Sequence, residues 1–251
     1  MQAFQVKAPH DYQVAEVDPP KVAAGEALVR VAFAGICGSD MHIIHGDNAF
    51  VRFPRITGHE FAGVVEAVGE GVAEVFVGDR VCIDPVISCG QCYPCRIGRP
   101  NVCSSLEVIG VHRDGGFEEF VAVPAANVHQ LPDHIGLDAA ALVEPYTIAA
   151  NVLDRMQPHP GDRLMILGAG VIGLTILQMA LAKGIEEVIV TDVINERLAA
   201  AKQLGAAQVF NSREQDVEKE VLALTQGEGV PLIADAACVP ALLPQMLRLA
   251  S

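Results

Sequence analysis

"LMILGAGVIGLT", residues 164–175, sets Gly168, Gly170 and Gly173 between an apolar β-type run and an apolar segment of helical length. A G-x-G-x-x-G at a strand-to-helix junction has a mechanical reading. The glycines permit a tight turn, close approach of backbone to a pyrophosphate, and close packing of helix on strand. The helix that opens at Val171 and Ile172 adds free N–H donors and the positive end of its dipole. About twenty residues on, the next β-type run "VIVTD" ends at Asp192, where a carboxylate accepts from the ribose 2′-OH of a dinucleotide. That carboxylate would repel a 2′-phosphate, so NAD is expected rather than NADP. Arg197 either flanks the adenine or is an ordinary exposed helix residue. A purely structural β–α turn is the competing reading of the glycines; the strand before, the helix after and the acidic residue favour the dinucleotide.

Working outward, "RLMILGAG", "EEVIVTD", "AAQVFN" and "LIADAA" alternate with "VIGLTILQMALAKG", "INERLAAAKQLG" and "REQDVEKEVLALTQG". Strand-like and helix-like segments in βαβ order predict a parallel sheet over residues 151–251. Upstream the grammar differs. "ALVRVAFAGI", "FAGVVEAVG", "DRVCIDPVI" and "FEEFVAVPAANVHQLP" are short β-rich runs between Gly/Pro turns, and predict a compact, mostly antiparallel, barrel-like domain over residues 1–150. The border is expected within "VEPYTIAANVLDRMQPHPGDR", residues 143–163, where a helix runs into a Pro/Gly turn.

A chain of 251 residues with 51% hydrophobic content can bury two cores of this size. Its start, "MQAFQVKAPHDYQV", shows neither the basic nor the apolar region of an export signal, so a cytoplasmic location is expected. The most apolar stretch, Leu167–Ala182, is too short to span a bilayer and reads as a buried helix. With 17 basic against 31 acidic residues the formal charge is −14, which disfavours nucleic acid and anionic membrane as partners and favours a small molecule.

Seven cysteines in a reducing compartment point to metal or redox chemistry more than to disulfides. Four of them, Cys89, Cys92, Cys95 and Cys103, form C-x2-C-x2-C-x7-C in "SCGQCYPCRIGRPNVC", residues 88–103. That spacing offers four thiolates to a tetrahedral Zn2+; no coordination position is left for water, so this metal would fold the loop and do no chemistry. Arg96 and Arg99 would offset its negative charge, and Gly90, Pro94, Gly98 and Pro100 predict turns without helix or strand. A redox loop is the alternative. Cys82 and Cys238 lie in apolar runs and are expected in the core.

Elsewhere in the first half, "GICGSDMHIIHGD" supplies Cys37, Ser39, Asp40 and His42, and "ITGHEFAG" supplies His59 and Glu60. Spacing alone does not assemble these into a site. Taken in order with "GHEFAGVVEAVGEGV", the four-cysteine loop and "GAGVIG", they resemble the zinc-dependent medium-chain dehydrogenase/reductase superfamily, over essentially the whole chain. "GVHRDGGF" and "VEPYTIAAN" are most similar to its RspB-like and L-galactonate dehydrogenase branch. The resemblance implies an α/β fold, with a GroES-like β-rich catalytic domain followed by a Rossmann domain. It also implies two Zn2+ per chain, NAD, and a dimer or tetramer in the full-length form. The chain stops at "QMLRLAS", short of the family's usual length, so the Rossmann domain is expected to be incomplete.

Residue by residue, the resemblance makes Cys37 and His59 ligands of a catalytic zinc. Glu60 matches the glutamate that ligates or lies just behind the metal, and Glu144 stands at the third-ligand position. Simple alcohol dehydrogenases have cysteine there, whereas polyol, threonine and sugar-acid members are similar to this chain in having glutamate. Such a site keeps a position open, where zinc polarises an alcohol before hydride leaves for NAD. Ser39 matches the residue that takes the hydroxyl proton, and His42 the one that passes it toward solvent. The activity so implied is oxidation of a secondary alcohol of a sugar acid or polyol. The alternatives are L-threonine 3-dehydrogenase, a simple alcohol dehydrogenase, or a non-catalytic zinc-stabilised fragment or binding protein.

Overall fold

The computed structural model describes residues 1–251 and divides into two compact units, Met1–Glu144 and Pro145–Ser251. The first unit is built largely of short strands. They begin with β1 (Gln2–Ala8), β2 (Asp11–Glu16) and β3 (Glu26–Gly35), followed by helix α1 (Gly38–His45) and strand β4 (Arg55–Ile56). Then come β5 (Glu60–Val68), β6 (Arg80–Ile83), β7 (Val86–Ile87), helix α2 (Tyr93–Arg96), β8 (Glu107–Val108), β9 (Phe120–Pro124), β10 (Val128–Gln130) and helix α3 (Leu137–Ala140).

Five of these strands form an antiparallel sheet in the order β10-β6-β5-β3-β9, and three form a smaller one, β2-β1-β4. In β3 the two-residue alternation buries Ala27 and Val29 and leaves Arg30 exposed. Those inward residues join Phe61, Val65, Val81, Val121 and Val123 in one apolar core, as a half-solvated antiparallel sheet requires. The fully buried Phe61 follows Glu60, so the start of β5 is anchored in this core.

Helix α4 (Val143–Met156) opens at the division and belongs mostly to the second unit. After it come β11 (Arg163–Leu167), α5 (Val171–Ala182), β12 (Glu187–Asp192), α6 (Asn195–Gln203), β13 (Gln208–Asn211), α7 (Val217–Leu224), β14 (Leu232–Asp235) and α8 (Leu243–Leu249). All four strands are parallel, in the order β13-β12-β11-β14. Being covered on both faces, β11 and β12 are continuous apolar runs without alternation. Ala149 and Leu153, four apart on α4, pack with Leu164, Ile166, Ile176, Ala180 and Val190. No helix is long and apolar enough to cross a membrane.

Two expectations fail locally. The cysteine loop holds the short helix α2 and a 3-10 turn at Pro100–Val102, because Pro94 and Pro100 occupy first-turn positions, where proline's missing N–H costs nothing. Cys238 is exposed and in the left-handed region (φ 52°) instead of in the core. It follows the end of β14, where Asp235 Oδ1 accepts the N–H groups of Ala237 and Cys238 and turns the chain outward.

Candidate metal centre and dinucleotide cradle

Asp40 organises the first-unit site. It is 1% exposed, its Oδ2 accepts the N–H of Cys37 (2.9 Å) and its Oδ1 accepts the N–H of Gly58 (3.1 Å). One carboxylate therefore ties the start of α1 to the residue before His59, and its Oδ1 lies 3.9 Å from His59 Nδ1. Antiparallel pairing places Glu60 opposite Gly35, where a Cβ would strike the Glu60 carboxylate. The bare backbone of Gly35 thus makes room for a charged group that is only 5% exposed. Two strands and one helix start bring Cys37, His59 and Glu60 together, with donor atoms all within 4.8 Å of one another.

Thiol, imidazole and carboxylate in one half-buried cluster are the donor types that zinc selects. The electrostatics agree. Burial disfavours charge on His59, but its hydrogen bond to Cys37 and the negative groups of Cys37, Asp40 and Glu144 prevail and raise its pKa from 6.5 to about 9. An environment that stabilises a cation this strongly is one that a divalent ion neutralises. Burial raises Glu144, His59 partly reverses that, and Glu60 and Asp84 add to the rise. Glu144 therefore senses the cluster electrostatically without belonging to the tight three-donor set.

Ser39 and His42 lie three apart on α1, on one helix face. The Ser39 hydroxyl is buried and makes no hydrogen bond, whereas His42 is exposed, with Nδ1 4.0 Å from Asp47. No direct hydrogen bond joins the two. Sequence reasoning noted Asp40 without giving it a role; the signal for it was its place at the third position of α1, where an acid can reach back to the helix start.

In the cysteine loop, Cys92 Sγ lies 3.3 Å from Cys95 Sγ and 3.7 Å from Cys103 Sγ, and Cys89 Sγ lies 4.0 Å from Cys95 Sγ. A tetrahedron with metal–sulfur bonds of about 2.3 Å has edges of about 3.8 Å, so the four thiols fit zinc. None of them is in a disulfide. Backbone N–H groups aimed at sulfur, among them Cys92 to Cys89 Sγ at 3.3 Å, favour thiolates. Hydrogen bonding lowers Cys92 to about 5, while burial and its sulfur neighbours push Cys95 to about 12.

In the second unit, Gly168 follows β11 with φ +97°, a conformation that side chains disfavour. A Cβ on it would sit 3.0 Å from Ala237 N, just past β14, and a Cβ on Gly173 would collide with the carbonyl oxygen of Gly168. A Cβ on Gly170 would meet nothing, because this glycine faces a cavity of about 350 Å3 shared with Thr191, Asp192 and Arg197. The cavity lies at the carboxyl ends of the strands, where the sheet order reverses direction. A dinucleotide phosphate fits there, over the N–H groups of Val171 and Ile172 at the start of α5. Asp192, 8% exposed, is held by the N–H groups of Ala169 (2.7 Å), Val193 (2.7 Å) and Ile194 (3.0 Å). The guanidinium of Arg197 is 3.9 Å from its Oδ2 and half exposed.

Comparison with known proteins gives a consistent picture. The family described as "Alcohol dehydrogenase GroES-like domain" matches residues 23–133, and the family described as "Zinc-binding dehydrogenase" matches residues 171–251. The starvation-sensing protein RspB of Escherichia coli K12 is 46% identical over all of this chain and 74% of its own length. The L-threonine 3-dehydrogenase of Pyrococcus abyssi is 39% identical over 98% of this chain and 71% of its own. A crystal structure of RspB from E. coli CFT073, complexed with NADH, superposes with a TM-score of 0.92 at 47% identity, covering 100% of this chain and 73% of that one.

Proposed function

Because the chain belongs to the zinc-type alcohol dehydrogenase family, we propose that it oxidises a secondary alcohol of a sugar acid or polyol, with NAD as hydride acceptor. One observation carries the reading. The Cys37–His59–Glu60 cluster shares its helix start with a buried Ser39 hydroxyl that has no partner within the protein. Packing alone does not require three metal donors beside an unsatisfied hydroxyl; a bound alcohol does.

When bound, zinc supplies Lewis-acid polarisation of the alcohol oxygen and NAD supplies the hydride acceptor. Cys37 and His59, with Glu60 or Glu144, would hold the metal, and Asp40 fixes the first two relative to each other. The Ser39 hydroxyl takes the substrate's proton. Ser39 gives up its own proton in exchange, and because no direct hydrogen bond joins it to His42, a bridging hydroxyl or water carries that proton to His42, one turn along α1 and open to solvent, which releases it to water. In the second unit the Gly168–Gly173 turn and the start of α5 bind the pyrophosphate. Asp192 accepts from the ribose hydroxyls, with Arg197 beside it. Glu144, where simple alcohol dehydrogenases have cysteine, supports a polyhydroxy substrate.

L-Threonine is the second reading, favoured by the 39% identity to the archaeal threonine dehydrogenase. The test is initial-rate assay of the zinc-loaded protein with NAD+ against aldonates, polyols and L-threonine. Highest kcat/KM on an aldonate or polyol supports the proposal, and highest on threonine replaces it. Zinc binding without turnover on any alcohol would make the chain a scaffold.

A further inference from the structure

A second cavity in the first unit, of about 480 Å3, is lined by Ala49, Phe50, Val51, Arg52, Glu107 and His112. Both lining segments are joined to elements that carry the candidate metal donors. Residues 49–52 follow α1, which carries Ser39 and His42. The segment around His112 is fastened to the residue before His59. Gly116 N–H donates to the Gly58 carbonyl at 2.8 Å, and Gly110 packs so closely that a Cβ would lie 2.7 Å from the same oxygen.

The chemistry of the cavity is specific. Arg52 is exposed and makes no ion pair or hydrogen bond, in a chain whose formal charge is −14. His112 accepts the N–H of Val108 at Nδ1 (3.0 Å), so its ring proton is on Nε2 and that nitrogen is a donor. Phe50, 71% exposed, lies at a tilt beside the His112 ring, 6.2 Å between centroids. Glu107 is exposed and offers acceptors only. A guanidinium and a fixed N–H donor match a planar anion; a neighbouring carboxylate matches hydroxyl donors on the same molecule.

We propose that Arg52 and His112 form the subsite for an anionic group of the alcohol substrate, a carboxylate or a phosphate, with Glu107 taking hydroxyls of its carbon chain. This rests on the dehydrogenase reading above and narrows it from polyols in general to charged ones. A neutral polyol leaves Arg52 unmatched.

The experiment compares wild type with Arg52→Gln, Arg52→Lys and His112→Gln, each zinc-loaded, on gluconate, sorbitol 6-phosphate, L-threonine and sorbitol with NAD+. Expected is a rise of about tenfold or more in KM for the preferred anionic substrate in Arg52→Gln, as for loss of a charged hydrogen bond. Sorbitol kinetics should be unchanged, with partial rescue in Arg52→Lys and a smaller rise in His112→Gln. The anion most affected identifies the source as carboxylate or phosphate. Equal effects on sorbitol and the anions, or none on either, overturn the subsite. If no alcohol is turned over, the dehydrogenase reading fails. Calorimetric titration of gluconate and of sorbitol 6-phosphate then still decides: tenfold weaker binding in Arg52→Gln supports the subsite, and equal or absent binding refutes it.

Discussion

Replacing Glu118 by glutamine should stabilise the first unit increasingly as pH rises. Glu118 is nine-tenths buried and faces a cavity of about 500 Å3 that also contains Arg55 and Arg113. Neither arginine compensates it, because Arg55 is paired with Asp114 at 2.8 Å and Arg113 with Glu26. Burial, with Asp114 adding repulsion, pushes the Glu118 carboxyl from 4.5 up to about 8. The folded state therefore keeps a proton that the unfolded chain gives up, and stability falls as pH rises from about 4.5 to about 8. At about 1.4 kcal/mol for each pH step across that window, less a discount for water entering the open cavity, ionising Glu118 costs on the order of 3 kcal/mol by pH 8.5. Glutamine keeps the shape and removes the titration. Since the chain has no tryptophan, urea unfolding followed by circular dichroism at pH 6, 7 and 8.5 is the suitable assay. Wild type should lose stability across the series, and Glu118→Gln should lose roughly 2–3 kcal/mol less. Parallel pH dependence in the two proteins would refute the reasoning.

Metal analysis should find about two zinc ions per chain; Cys95→Ser should destabilise the loop around residues 88–103, since a four-sulfur site contributes folding free energy directly, and Cys37→Ser should leave unfolding little changed while removing turnover. The opposite pattern of the two variants would exchange the structural and catalytic assignments. kcat/KM should be higher with NAD+ than with NADP+, and Asp192→Ala should narrow the gap, because that carboxylate both accepts from the ribose and repels a 2′-phosphate; a wild-type preference for NADP+ contradicts this. His42→Gln should lower kcat near neutral pH and recover in part with added imidazole, zinc content and NAD binding staying constant, and an unaltered pH–rate profile would leave His42 with no part in proton release.

The second unit was legible because its signals are local. "RLMIL", "EVIVTD", "QVFN" and "LIAD" are β11 to β14 almost to the residue; the central β11 and β12, buried on both faces, are apolar runs, and the edge strands β13 and β14 are marked by their place between helical segments. The first unit's antiparallel sheet was legible from short β-rich runs set between Gly/Pro turns, which became strands such as β3 and β5. What failed were expectations that treated residue type without position. Proline was read as a breaker of structure in the cysteine loop, although Pro94 sits in the first turn of α2. Cys238 was assigned to the core by its apolar neighbours, yet the hydrogen bonds of Asp235 decide its direction.

The metal site itself was legible only through resemblance, for a physical reason. Its donors come from the start of α1 and the start of β5, more than twenty residues apart, and what joins them is Asp40, whose third position in α1 signals a bond back to the helix start but not the second one across to Gly58. Arg52, His112 and Glu118 are still further from any local signal, because their meaning is set by what fails to reach them. An arginine without a carboxylate and a glutamate without an arginine look alike in sequence to their paired counterparts Arg55 and Asp114. Only packing separates the two cases. Around Glu118 the nearby cations are already committed, so the charge is a cost borne by the fold; at Arg52 the charge is unpaired and open to solvent in a cavity, where a ligand can meet it.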